Sequence, residues 1–233
     1  MPDHPENTGT QFLERKLATI LSADVAEFSR LMGEDEEQTL RTFRGHKKVF
    51  ESLVAMHRGR IFNTAGDAIL AEFFSAVEAV RCATDIQAAL RTRNDQLPPP
   101  RQVRFRIGIN LGDEMVQGQD LLGDGVNVAA RLQTAAQPGG ICLSGSVYDQ
   151  IRNKLSLSFQ SLGEKNYKNI QQPVRTFSIF GGGWNWCECV HEICGPDERS
   201  DRLGGGGIFD RDSAGWKLLG LYRQRAKQNG TCA

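Results

Sequence analysis

Ile61-Phe62-Asn63-Thr64-Ala65-Gly66-Asp67-Ala68-Ile69-Leu70-Ala71-Glu72-Phe73-Phe74 is the stretch around which the rest of the chain is organised. Two apolar runs flank a short polar centre, Asn63 to Asp67, the pattern of a β-hairpin with a functional tip. Gly66 supplies a backbone conformation that residues with a Cβ resist, and Asp67 then enters a hydrophobic strand directly. A carboxylate placed there is costly unless a cation or hydrogen-bond donors meet it. Asp67 either caps its own turn or binds a cation, and the hairpin alone leaves both open.

On the N-terminal side, Leu17 to Ala23 is a short apolar run suited to a buried strand, and it ends on a second carboxylate, Asp24. The acidic cluster Glu34-Asp35-Glu36-Glu37 opens a helix, because negative charge suits a helix N-terminus. Leu40, Phe43, Lys47, Phe50, Val54 and His57 step by three and four along one face, which Gly59 ends. His57 reads as a partly buried packing residue, and His46 has no evident partner. After the hairpin, Ser75 and Glu78 form a capping-box pattern, followed by the stripe Val77, Val80, Ala83, Ile86 and Leu90. That helix fades at Arg93-Asn94, and Pro98-Pro99-Pro100 makes a stiff, non-helical connection. Val103, Phe105, Ile107 and Ile109 alternate with polar or small residues as a half-buried strand, with Gly112-Asp113 as a turn into a partner strand at Met115-Val116.

Asp120 to Leu132 passes from a glycine-rich loop into a helix stopped by Pro138-Gly139-Gly140, and Asn127 and Arg131, four apart, project from one face of it. Ile141–Ser144 reads as a strand, Ser146 with Asp149 opens a short helix, and Phe159–Glu164 and Val174–Phe180 are closing strands. The order predicts an α+β fold: a ferredoxin-like βαββαβ sheet with helices on one face, extended by C-terminal α/β elements. Residues 1–14 are expected to be a flexible N-terminal segment. After Phe180 the glycine runs 181–183 and 204–207 bracket a stretch with two tryptophans and three cysteines, so 181–233 is expected to be a poorly ordered tail. Cys187, Cys189, His191 and Cys194 match none of the common zinc-ligand spacings.

The 28 basic and 28 acidic side chains balance, which removes the electrostatic case for nucleic acid or an anionic membrane. Any anionic ligand must be held by local chemistry. No apolar run reaches the roughly 18 residues of a membrane span, and the polar start lacks a signal-peptide core, so a cytoplasmic protein is expected. In the predicted sheet, Asp24 and Asp67 can approach each other. Two neighbouring carboxylates repel unless a positive charge lies between them, and hard cations prefer oxygen ligands, which points to Mg²⁺ or Mn²⁺. Two such ions would activate an attacking oxygen and neutralise a triphosphate.

From about Arg15 to Phe180 the chain resembles the catalytic domain of the class III adenylate and guanylate cyclases, on several motifs in the same order. Ser22-Ala23-Asp24-Val25 and Gly66-Asp67 resemble the family's two metal-binding segments, and Gly123-Asp124-Gly125-Val126-Asn127-Val128-Ala129-Ala130-Arg131 its Asn-Arg helix. The resemblance implies two Mg²⁺ or Mn²⁺ ions on Asp24, Asp67 and the main-chain carbonyl of Val25. It further implies that Asn127 orients the ribose, Arg131 stabilises the pentavalent phosphorus, and Lys168 meets the triphosphate. Family members share each site between two chains, so a homodimer acting on ATP is implied. Two positions depart from the family. Asp120 stands where its adenine-reading Asp belongs, but the Lys position holds Asn63, which keeps a hydrogen bond and loses the charge. Glu27 occupies a place that usually holds glycine. An ionised Asp120 accepts from the adenine amine and repels guanine O6, so an adenylate cyclase is the leading expectation. A catalytically weak homology domain that binds nucleotide or dimerises is the alternative, and a guanylate cyclase the third.

Overall fold

The hairpin forms as β2 (Arg60–Ala65) and β3 (Ala68–Phe73), with Gly66 at φ 61° in its turn. The computed structural model describes residues 14–180. The N-terminal segment before Glu14 and the 181–233 stretch, with its Cys187 to Cys194 cluster, lie outside the described residues.

β1 (Arg15–Val25) is longer than its apolar run, because it has partners on both sides. It pairs antiparallel with β3 (Ala23 opposite Ile69) and with β4, Phe105–Gln117 (Asp24 opposite Arg106). Two helices fill the β1–β2 connection. The short α1 (Phe28–Glu34) was not evident from periodicity, whereas α2 (Glu36–Met56) begins at the acidic cluster, where Asp35 accepts the Gln38 N–H at 3.1 Å. α2 ends as Arg58 takes φ 59°. Gly59 follows because the Phe73 ring occupies the space a Cβ would need. α3 (Ala76–Asn94) starts where Ser75 Oγ accepts the Glu78 N–H at 3.4 Å, and Pro99–Arg101 form one 3₁₀ turn in the stiff connection. β5 (Asp120–Leu122), α4 (Asp124–Ala135), β6 (Ile141–Ser144), α5 (Gly145–Ile151), β7 (Ser158–Lys165) and β8 (Val174–Phe180) complete the chain of elements. They build one sheet in the order β2-β3-β1-β4-β6-β8-β7, with β5 on β4, and the first four strands carry the βαββαβ connectivity.

The α+β class holds, and three local expectations change. Gly112-Asp113 does not turn: β4 runs through it, because β1 reaches far enough to pair Arg15 with Met115, and the hairpin turn comes at Gly118, φ 62°. Ser144 rather than Ser146 caps α5, accepting the Val147 N–H at 3.5 Å. Helices lie on both faces of the sheet. Leu21, Ala23, Ile107, Ile109 and Leu143 share one core with Phe50, Ile86 and Val147, from α2, α3 and α5. The alternate residues Ala18, Ile20 and Cys142 pack with α4 through Ala129, Val128 and Leu132. The strand expected to be half-buried is therefore covered on both sides at Ile107–Asn110.

Candidate active site

Antiparallel pairing of β1 with β3 sets the Gly66-Asp67 turn beside the end of β1. Asp67 Oδ2 accepts the Val25 N–H at 3.0 Å, so this carboxylate reaches the neighbouring strand instead of closing its own turn. Asp24, one residue earlier, is gripped by Arg106: Nε donates to Oδ1 at 3.0 Å and Nη2 to Oδ2 at 2.7 Å. The two side chains are 22% and 25% exposed, where such a bidentate pair is screened only in part. Arg106 is the residue that sequence reasoning missed. It looked like one more polar position of an alternating strand, and only the β1–β4 register, which sets Asp24 opposite it, could have found it.

The donors fit a hard divalent cation. Asp24 and Asp67 bring two carboxylates to the Val25 main chain, donors of the oxygen type such an ion takes, and Arg106 is the positive charge that meets Asp24 in this structure. Among the described residues no group of three or more His, Cys, Asp or Glu side chains gathers. Main-chain or substrate oxygens must therefore complete any coordination.

A second pair forms at the sheet edge. The β2–β3 register shifts between Ile61 and Asn63, a bulge at Phe62. Asn63 Nδ2 lies 3.5 Å from Asp120 Oδ1 on β5. Arg60 ties β2 to the β4–β5 turn and to β3, donating from Nη1 to Gln119 O at 2.8 Å and from Nε to Glu72 at 2.7 Å. Residues 57 apart in the chain thus face one another.

α4 lies tight on β4. Gly108 leaves no room for a Cβ against Ala129 O and Gln133 N, and Asn110 Nδ2 donates to Gly125 O at 3.1 Å. Asn127 is exposed and Arg131 half-buried, one helical turn apart. Lys168 is exposed in the β7–β8 connection, between Tyr167, whose hydroxyl lies 3.1 Å from Thr176 Oγ1, and Asn169 at φ 65°. Among the described residues no hydrogen bond or ion pair joins Asn127, Arg131 or Lys168 to either aspartate. Glu27 takes φ 57°, the left-handed region that favours glycine, and its carboxylate turns to Arg30 Nε at 2.5 Å. His57 is more than a packing residue: its Nδ1 lies 3.1 Å from Glu78 and its Nε2 2.9 Å from Asp85.

The family model of the adenylate and guanylate cyclase catalytic domain matches residues 13–181. This chain belongs to that family. It is 42% identical over 175 residues to a Rhizobium meliloti protein named "Putative adenylate cyclase 3", a match covering 75% of this chain and 29% of that protein. The chain therefore corresponds to less than a third of that relative's length. Among solved structures, an adenylate/guanylate cyclase/hydrolase from Silicibacter pomeroyi is 38% identical, with a TM-score of 0.69 over 72% of this chain and 98% of that one. The adenylyl cyclase CyaB from P. aeruginosa, at 21% identity, shares the fold, with a TM-score of 0.65 over 73% and 96% of the two chains. Among the described residues no helix is long and apolar enough to cross a membrane.

Proposed function

We propose that residues 15–180 are an adenylate cyclase catalytic domain that converts ATP to 3′,5′-cyclic AMP and pyrophosphate in the cytoplasm, as a homodimer with two composite sites. The observation that carries this reading is the juxtaposition of Asp67 with the Asp24-Val25 strand end, while Asn127 and Arg131 stand on α4 without a bond to either aspartate. A second copy supplying its own α4 would complete the site.

In the reaction the ribose 3′-oxygen attacks the α-phosphate, the bond to the β-phosphate oxygen breaks, and the 3′ proton leaves. Two Mg²⁺ or Mn²⁺ ions on Asp24, Asp67 and the Val25 carbonyl would ease that deprotonation and neutralise the triphosphate. Arg106 holds the Asp24 carboxylate in one orientation. Asn127 positions the ribose, and Arg131 offsets the charge that grows on the α-phosphate oxygens. Lys168 meets the outer phosphates. Asp120 spends one oxygen on Asn63 and keeps the other for the adenine amine, which disfavours guanine and a guanylate cyclase.

One observation supports a second reading, a weakly catalytic module that binds nucleotide or dimerises: Arg106 occupies both oxygens of Asp24. Product formation separates the two. The purified protein is expected to make cyclic AMP from ATP with Mn²⁺ and less well with Mg²⁺, and no product with either ion would leave the second reading. Asp67→Ala and Arg131→Ala are each expected to lose about 100-fold or more in kcat and to regain activity when mixed, through one intact composite site. Mixed dimers that form and stay inactive would refute the shared site.

A further inference from the structure

Glu114 lies on the β4 face beneath α4, is 0% exposed, and neither of its carboxylate oxygens has a hydrogen-bond partner. Three glycines make its cage. A Cβ on Gly123 would strike Oε2, one on Gly125 would strike Oε1, and one on Gly112 would come to 2.6 Å from Oε1. Gly123 is also the N-cap residue of α4 and contributes no side-chain cap. The first turn of a helix presents amides without intrahelical acceptors, and a carboxylate beside them is favoured by the helix dipole. Burial raises the Glu114 carboxyl above its ordinary range, and Asp113 and Asp124 add to the rise, while the Val126 amide and Arg15 oppose it. Asn110, four residues earlier on the same strand face, donates to Gly125 O at 3.1 Å. β4 therefore meets the first turn of α4 with an amide donor on its carbonyl and a carboxyl group against its glycines. A leucine would fill the same space without the desolvation penalty of a buried carboxylate, so the carboxylate calls for a role that packing alone does not explain.

We propose that Glu114 is a positioning residue: its carboxyl group, sealed from the neighbouring strand against the glycine-rich first turn of α4, sets where Asn127 and Arg131 stand. Glu114→Gln keeps the shape and one acceptor oxygen, removes the ionisable group, and sets an NH₂ donor against the glycine-rich first turn. This inference rests on the reading that Asn127 and Arg131 serve the composite site, and its test has an arm that does not depend on that reading. By hydrogen exchange on the whole chain, the α4 amides around Val126 and Asn127 are expected to exchange about tenfold faster in Glu114→Gln, with the β1 amides unchanged. Unchanged exchange at α4 would overturn the positioning role, whatever the activity.

The catalytic arm places Glu114→Gln on either member of the mixed pair. In a dimer of Asp67→Ala and Arg131→Ala chains, the working site takes its α4 from the Asp67→Ala chain. Glu114→Gln on that chain is expected to lower kcat about tenfold with KM for ATP nearly unchanged, and on the Arg131→Ala chain to leave kcat intact. Equal losses in both placements would mean general destabilisation and defeat the positioning role. If the parent mixture fails to complement, the shared-site reading falls on its own. The Glu114→Gln homodimer then decides: a tenfold lower kcat at unchanged KM supports positioning, and wild-type kcat overturns it.

Discussion

The two faces of the sheet use the same strands for different ends. On one face Phe105, Ile107 and Ile109 of β4 meet α2 and α3 in a continuous apolar core, where the Phe105 ring lies 4.8 Å from Phe50 and 6.1 Å from Phe43. Two of its buried polar side chains are tied to the backbone: Gln87 donates to Phe105 O at 2.9 Å, and Asn94 donates to Val103 O at 3.0 Å. On the other face the alternate residues are Arg106, Gly108, Asn110, Gly112 and Glu114, facing Asp24 or α4. Because neighbouring strand residues point to opposite sides, one strand can supply core on one face and a part-buried ion pair with a close helix contact on the other. Stability is concentrated on the first face, and placement of charged groups on the second.

The largest test of this division is Phe50→Ala, expected to cost about 3–5 kcal/mol in urea unfolding while KM for ATP stays unchanged at temperatures where the protein is folded. A raised KM at unchanged stability would break the division. His46 offers the next test. It is buried beside Phe105 with Nδ1 unpartnered, and burial first, then Arg93, push it from 6.5 down to about 4. A depressed imidazole contributes stability that is complete above pH 6.5 and is lost as the pH falls toward 4. That interval corresponds to about 3 kcal/mol, and His46→Leu should flatten the wild-type slope across it in pH-dependent unfolding.

Gly108→Ala probes the second face. Its Cβ would meet the backbone of Ala129 and Gln133, so α4 must move, with an expected cost of about 1–3 kcal/mol and a fall in kcat beyond the loss of folded protein. Wild-type kcat in the folded fraction would show that α4 tolerates displacement. Smallest is Asn63→Lys, exposed at the sheet edge, expected to raise the preference for ATP over GTP roughly 3- to 10-fold without changing stability. An unchanged ratio would remove Asn63 from base reading.

Much of this architecture is legible in the residues. The Ser75 and Asp35 caps, the α3 stripe and the hairpin each depend on neighbours within a few positions, and each stands where the pattern sets it. Errors fell where a distant partner overrode a local signal. Gly112-Asp113 reads as a turn, yet β4 continues because β1 pairs along it and because Glu114 and α4 take the space of a Cβ at Gly112.

By itself the sequence determined the element order, the carboxylates that end β1 and open β3, and the motifs that carry the family resemblance, because periodicity and caps are properties of one segment. Only the tertiary structure decided that Arg106 grips Asp24, that Asn63 meets Asp120, that α4 packs on the face opposite α2 and α3, and that Glu114 is sealed beneath it. Strand register and the choice of which helix covers which face arise from contacts between residues tens of positions apart, and no local pattern encodes them.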